Sequence, residues 1–173
     1  MTDLFSITGK TALVTGGSRG IGRMIAGGFV DAGARVYISS RRADVCEEVA
    51  SRLGAAGECY ALPADLGSEQ GVAALAATLV AREPRLHILV NNAGATWGAP
   101  LEQFPAHAFD KVMALNVRAV FDLTRRLLPA LRAAASPADP ARVINIGSVA
   151  GFATPEAAST TSPTPPARPR STP

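Results

Sequence analysis

Gly16, Gly20 and Gly22 stand where an apolar run, residues 11–15, gives way to a segment of helical spacing: Thr11-Ala12-Leu13-Val14-Thr15-Gly16-Gly17-Ser18-Arg19-Gly20-Ile21-Gly22. The chemistry open to such a turn is anion binding. A backbone without Cβ atoms turns tightly and comes close to a pyrophosphate, and a helix starting near Gly20 would aim its first unpaired N–H groups and its positive dipole end at the same point. Glycine clusters also make ordinary turns. The strand before and the helix after are what make Gly16-x-x-x-Gly20-x-Gly22, with Ser18, Arg19 and Ile21 inside it, read as a phosphate cradle.

Other stretches carry side chains that could meet a ligand at that turn: Ser39-Ser40-Arg41-Arg42, Asp65-Leu66, Asn91-Asn92-Ala93-Gly94 and Ser148, with Asn116 inside a helical segment. Bringing them together requires strands and helices to alternate, and the periodicity does alternate. Strands are predicted over 11–15, 35–39, 59–62, 86–90 and 142–146. Helices are predicted over 21–32, over 45–53, from a Ser68-Glu69-Gln70-Gly71 cap to about 81, and over 106–134 with an interruption near Pro129. In the first helix Ile21, Met24, Ile25, Gly28 and Phe29 share a face, and Gly33 occupies a C-terminal cap position. The unbroken apolar run 86–90 fits a strand buried on both faces, as in a parallel sheet. The fold class expected is therefore α/β, a doubly wound parallel sheet of five strands in the order 3-2-1-4-5. Ligands of such sheets bind at the carboxyl ends of the strands, and the Gly16 turn, the 39–42 loop, Asp65, the 91–94 loop and Ser148 all follow carboxyl ends.

Size and composition set the outer bounds. With 173 residues, 47% hydrophobic and 18% charged, the chain can build one core. Its 17 basic and 14 acidic residues are scattered, for a net charge of +3, with no lysine run or interleaved aromatics, so nucleic acid is not an expected partner. Cys46 and Cys59 lack metal-ligand spacing and read as reduced structural thiols, and no metal site is expected. No signal-peptide pattern opens the chain and no apolar run reaches membrane-spanning length, which predicts a soluble, cytoplasmic protein without a membrane partner.

Taken together, Thr15-Gly16-x-x-x-Gly20-Ile21-Gly22, Asp65-Leu66, Asn91-Asn92-Ala93-Gly94, Asn116-Val117 and Ile144-Asn145-Ile146-Gly147-Ser148 closely resemble the short-chain dehydrogenase/reductase family of nicotinamide-dependent oxidoreductases. The resemblance covers about residues 4–152 and implies a Rossmann-like fold. Through Gly94-Ala95-Thr96-Trp97-Gly98 and Asn145-Ile146-Gly147-Ser148-Val149-Ala150-Gly151, the chain looks most like the 3-oxoacyl-[acyl-carrier-protein] reductases associated with rhamnolipid synthesis. The implied reaction is hydride transfer from NADPH to a small-molecule or acyl-carrier-bound carbonyl, and an intact relative would be a homo-oligomer.

The resemblance also assigns roles. Gly16, Ser18, Arg19, Gly20, Ile21 and Gly22 would form the cofactor turn, and Asp65, beside Leu66, would accept a hydrogen bond from the adenine amino group. A surface turn before Gly67 would use Asp65 as well. Asn92, Ala93 and Gly94 would close the crevice beside the adenine ribose, Asn116 would bend its helix and hold a water for a proton relay, and Ser148 would donate to the substrate carbonyl as charge develops on its oxygen. An acidic residue at the end of the second strand would favour NAD; here Ser40 and Arg41 stand there, with Arg19 as a second cation, which favours NADP(H).

The chain departs from the family pattern after Gly151. Family catalysis rests on a Tyr-x-x-x-Lys pair after the fifth strand, the tyrosine giving its proton to the carbonyl and the lysine lowering the tyrosine's pKa. The tyrosines of this chain are Tyr37 and Tyr60, its lysines Lys10 and Lys111. Residues 153–173 carry Pro155, Pro163, Pro165, Pro166, Pro169 and Pro173, a composition unable to form a helix or a core. The expected organisation is an NADP-binding Rossmann-like domain over 1–152, incomplete at its fifth strand, and a disordered Pro/Ser/Thr/Arg-rich tail over 153–173. One choice of synonymous codons for residues 162–172, read in a shifted frame, spells Tyr-Thr-Ala-Ser-Lys. The expectation is thus a C-terminally truncated chain whose tail is a frameshifted translation of the catalytic helix. Two functions stay open at this point: a carbonyl reductase, and a catalytically inactive nucleotide-binding fragment.

Overall fold

Alternate residues of the strands sort to opposite faces, and that sorting builds two cores. A computed structural model describes residues 5–148 of the chain. Its strands are β1 (Thr11–Thr15), β2 (Arg35–Ser39), β3 (Cys59–Ala61), β4 (Ile88–Asn91) and β5 (Arg142–Asn145). The helices between them are α1 (Gly20–Asp31), α2 (Ala43–Gly54), α3 (Glu69–Arg82), α4 (Ala106–Met113) and α5 (Ala119–Ala134). The strands pair in parallel in the order β3-β2-β1-β4-β5, the order expected. Leu13, Tyr37 and Leu89 face α3 and α5, where Leu75, Leu79, Leu123 and Leu127 complete one core. Val14, Val36, Ile38 and Val90 face α1 and α2, where Ala26, Val30, Cys46 and Val49 complete the other. Leu123 and Leu127 are 1% and 0% exposed, so burial of each contributes about 1.5–3 kcal/mol and holds α5 on the sheet.

The pairing register decides where the strands end. Thr15 lies opposite Ser39, Val14 opposite Val90, and Asn91 opposite Asn145, so the strands end nearly level and their carboxyl ends open on one side. Gly33, at φ +79°, ends α1 in the left-handed conformation expected of a cap glycine, and Ser68 caps α3 by accepting the Gly71 N–H at 3.1 Å.

Two expectations need correction. The buried stripe of α1 is Gly22, Ala26 and Val30, whereas Ile21 and Met24 are 55% and 68% exposed. Small residues let the helix lie close on the sheet, and a reading weighted by hydrophobicity picks the wrong stripe. The second concerns the long helical segment, which is interrupted by a π turn at Ala114–Arg118 and not at Pro129. Pro129 lies within α5 on its exposed face, and the carbonyl it leaves without a donor, that of Arg125, is on the solvent side as well.

β5 is the outer strand among the described residues, with Val143 43% and Ile144 39% exposed. The boundary at 152/153, the tail and the shifted-frame expectation lie outside the described residues. No described helix is long and apolar enough to cross a membrane.

Candidate functional site

The level carboxyl ends of β1, β2 and β4 enclose a cleft of about 600 Å³. Of the residues singled out from the sequence, Gly16, Ser18, Arg19, Gly20, Ile21, Ser40, Arg41, Leu66, Asn92, Ala93 and Gly94 line it. Gly22, Asp65, Asn116 and Ser148 do not.

The floor of the cleft is backbone. Gly16 turns at φ +65°, and a Cβ there would come within 2.9 Å of the Asn92 amide nitrogen. Gly22 is buried below the turn, where a Cβ would run into the Gly16 carbonyl oxygen and the same amide. Arg19, the N-cap of α1, is extended and makes no side-chain capping bond, and the first turn of α1 holds no acidic residue. The positive end of the helix and its first N–H groups thus face the cleft without a side-chain acceptor from the cap.

Thr15 holds this turn to β4. Its hydroxyl donates to the Val90 carbonyl at 3.2 Å and accepts the N–H groups of Asn92 and Ala93, each at 3.0 Å. These bonds use the hydroxyl's one hydrogen and both lone pairs. The Asn92 side-chain amide donates to the carbonyls of Thr15 at 2.9 Å and of Gly16 at 3.3 Å. Asn91 ties the same loop to its other neighbours, its amide donating to Asn145 Oδ1 at 2.9 Å and to Thr124 Oγ1 at 3.3 Å.

At the end of β2 the cleft is lined by Ser39, Ser40, Arg41 and Arg42. Arg42 is paired with Asp44 at 2.8 Å, which raises the guanidinium's pKa and lowers the carboxyl's. Among the described residues neither Arg19 nor Arg41 belongs to an ion pair. The Ser39 hydroxyl is fully buried with no hydrogen-bond partner among the described residues, an unusual state for a polar atom. Two guanidinium groups outside the described ion pairs and a turn at Gly16 that leaves no room for a Cβ suit a phosphate-bearing dinucleotide.

Asp65 is exposed, and its Oδ1 accepts the Gly67 N–H at 3.0 Å in a turn leading to the Ser68 cap. Asn116 lies in the π turn, clamped to Ala95: Oδ1 accepts the Ala95 N–H and Nδ2 donates to the Ala95 carbonyl, both at 2.8 Å. One lone pair and one amide hydrogen remain for a water. Ser148 is exposed and is the last described residue, three positions beyond β5. Trp97 packs edge-on against His107, with Lys111 Nζ 5.9 Å from its ring centre, and does not line the cleft. Sequence reasoning grouped Thr15 with the turn motif and Ser39 with the 39–42 loop but gave neither hydroxyl a role. The available signal was a hydroxyl at the carboxyl end of each of two adjacent apolar strands.

The family model described as short chain dehydrogenase matches residues 10–161. The rhamnolipids biosynthesis 3-oxoacyl-[acyl-carrier-protein] reductase of Pseudomonas aeruginosa is 57% identical over 152 residues, 88% of this chain and 59% of that protein. Gluconate 5-dehydrogenase of Gluconobacter oxydans is 35% identical over 85% of this chain and 56% of its own length. Among solved structures, the active-site complex of Pseudomonas aeruginosa RhlG with NADP superposes with a TM-score of 0.85 at 56% identity, over 89% of this chain and 60% of that one. A metagenomic short-chain oxidoreductase in complex with NADP gives a TM-score of 0.77 at 38% identity, over 84% and 65%. In each of these cases this chain spans less than two thirds of the relative's own length.

Proposed function

This chain belongs to the short-chain dehydrogenase family, and on that premise we propose that it is an NADPH-dependent reductase of a carbonyl substrate, a 3-oxoacyl thioester reduced to a 3-hydroxyacyl thioester. The observation that carries the reading is the pairing of the Gly16 turn, which leaves no room for a Cβ, with Ser40, Arg19 and Arg41 in one cleft. The likeness to a Pseudomonas aeruginosa 3-oxoacyl-[acyl-carrier-protein] reductase, a protein also solved with NADP, supports the same choice of substrate and cofactor.

Each group then has a task. N–H groups at the start of α1 would hold the pyrophosphate, while Arg19, Arg41 and Ser40 would hold the 2′-phosphate. Asp65, beside Leu66, accepts from the adenine amino group through the oxygen not used by Gly67, and Asn92, Ala93 and Gly94 wall the ribose. When bound, NADPH supplies the hydride that reduces the carbonyl carbon. Ser148 donates a hydrogen bond to the carbonyl oxygen as negative charge grows there, and a water held by the remaining lone pair and hydrogen of Asn116 passes that oxygen the proton, drawn from solvent, that completes the hydroxyl. We further propose the α4–α5 face, where Phe109, Met113, Val117 and Phe121 are 57%, 39%, 52% and 68% exposed, as a subunit interface between two copies of the chain.

A second reading is a nucleotide-binding fragment without catalysis. Tyr37 and Tyr60 are stacked at 5.2 Å on β2 and β3, which β1 and β4 separate from β5 and Ser148, and Lys10 is paired with Asp139. Absence of the general acid is expected to cost about 100- to 10,000-fold in rate. Calorimetry with NADPH and NADH, followed by an NADPH oxidation assay with a 3-oxoacyl thioester, separates the readings. Binding with turnover supports the reductase, binding without turnover supports the fragment, and equal affinity for NADH removes the NADP assignment.

A further inference from the structure

At the end of the sheet opposite the cleft one residue links three strands. His87 immediately precedes β4. Its N–H donates to the Thr11 carbonyl at 3.0 Å, and its carbonyl accepts the Arg142 N–H at 2.8 Å, so its backbone already joins the starts of β1, β4 and β5. Its side chain adds a third link: Nδ1 accepts the Thr11 N–H at 3.0 Å. Thr11 is 5% exposed, so water has little access to that donor. An imidazole nitrogen accepts only while it carries no proton, which places the ring's single hydrogen on Nε2.

The surroundings oppose a second proton. Lys10, just before β1, and Arg85, just before β4, bring positive charge, while Glu83 at the end of α3 and Asp139 ahead of β5 bring negative charge. Both carboxylates are already spent: Asp139 on Lys10 and Arg142, Glu83 on Arg35 and the Tyr37 hydroxyl. Burial and the two cations therefore prevail, and the imidazole's pKa lies below the ordinary 6.5.

We propose that His87 is an acid-released latch: neutral, it completes the first hydrogen bond of β1; protonated, it turns a donor toward the Thr11 N–H and removes the side-chain link between the starts of β1 and β4, leaving the two backbone links to carry that end of the sheet. The other end of β1 is Thr15 and the Gly16 turn, so the strand that loosens is the one that carries the phosphate floor. A pKa lowered by folding means that the latch contributes fully above about pH 6.5 and is lost as pH falls through the folded value.

The test uses the full chain labelled with nitrogen-15. Only His87 and His107 contribute imidazole signals, which makes assignment direct. The expected result is an Nε2–H tautomer for His87 at neutral pH, a titration midpoint below 6.5, and a Thr11 amide resonance that moves with the same midpoint. An Nδ1–H tautomer, or a Thr11 amide indifferent to that titration, overturns the proposal. Urea midpoints between about pH 7 and about pH 5 give a second readout. His87→Asn offers an amide oxygen near the Nδ1 position without a titrating group, so its midpoint should fall less over this range than that of the parent chain. Equal falls overturn the latch, and if the variant does not fold, the magnetic resonance titration decides alone.

Discussion

Asn92 is bonded to Thr15 twice, its backbone N–H to the threonine hydroxyl at 3.0 Å and its side-chain amide to the threonine carbonyl at 2.9 Å. The same hydroxyl accepts the Ala93 N–H, so one buried oxygen shapes the loop on the far side of the cleft. Thr15→Val keeps the volume and leaves two N–H groups without their acceptor, at a cost of about 1–3 kcal/mol each. The expected outcome is a lower urea midpoint and weaker NADPH binding for Thr15→Val, with both largely retained in Thr15→Ser. Indistinguishable midpoints for the two variants would remove Thr15 from this role.

Arg41 lines the cleft beside Ser39 and Ser40 and belongs to no ion pair among the described residues. A guanidinium bond to a phosphate is worth about 1.5–3 kcal/mol, so Arg41→Ala should weaken NADPH binding about 10- to 100-fold. NADH lacks the 2′-phosphate, and its affinity should change little. Calorimetric titration with both nucleotides checks this, and parallel losses for the two would contradict the assignment.

The clamp between Asn116 and Ala95 joins the π turn to the loop after β4. Both bonds are solvent-accessible, so Asn116→Ala should cost about 0.5–1.5 kcal/mol for each. Hydrogen exchange at the Ala95 amide should accelerate while amides in β1 and β2 keep their protection. Unchanged exchange at Ala95 would mean that the clamp does not persist in solution.

Tyr37 gives an alkaline prediction. Burial, with a smaller contribution from its bond to Glu83 at 2.9 Å, pushes the phenol from 10.0 up to about 12. A pKa raised by folding contributes stability that is intact below about pH 10 and is lost as pH rises through about 12. Ultraviolet absorbance of tyrosinate should show a late step near 12 that Tyr37→Phe abolishes. Survival of that step in the variant would show that it belongs to another group.

Much of the fold was legible in the chain itself. The strand order followed from alternation of apolar runs and helical segments, and the Gly16 turn from residues that alone permit a backbone at φ +65° beside a helix start. The face of α1 was not legible, because Gly22 and Ala26 pack by their smallness while Ile21 and Met24 carry the hydrophobic signal outward. The π turn was not legible either. Asn116 weakens a helix locally, but its clamp partner Ala95 lies 21 residues away and is brought there only by the loop after β4.

Residue types alone carry the chemistry proposed for the cleft. A phosphate needs backbone N–H groups, missing Cβ atoms and guanidinium side chains, and each is written in the identity of a residue and its distance from a strand end. Tertiary structure decided which polar atoms are spent and which remain. The Thr15 hydroxyl is consumed by Val90, Asn92 and Ala93 because β1 lies beside β4 in this register, whereas the Ser39 hydroxyl, opposite Thr15 on β2, is buried with no partner among the described residues. Neither fate can be read from a serine or threonine in the chain, because a hydroxyl's commitments depend on neighbours that only packing supplies.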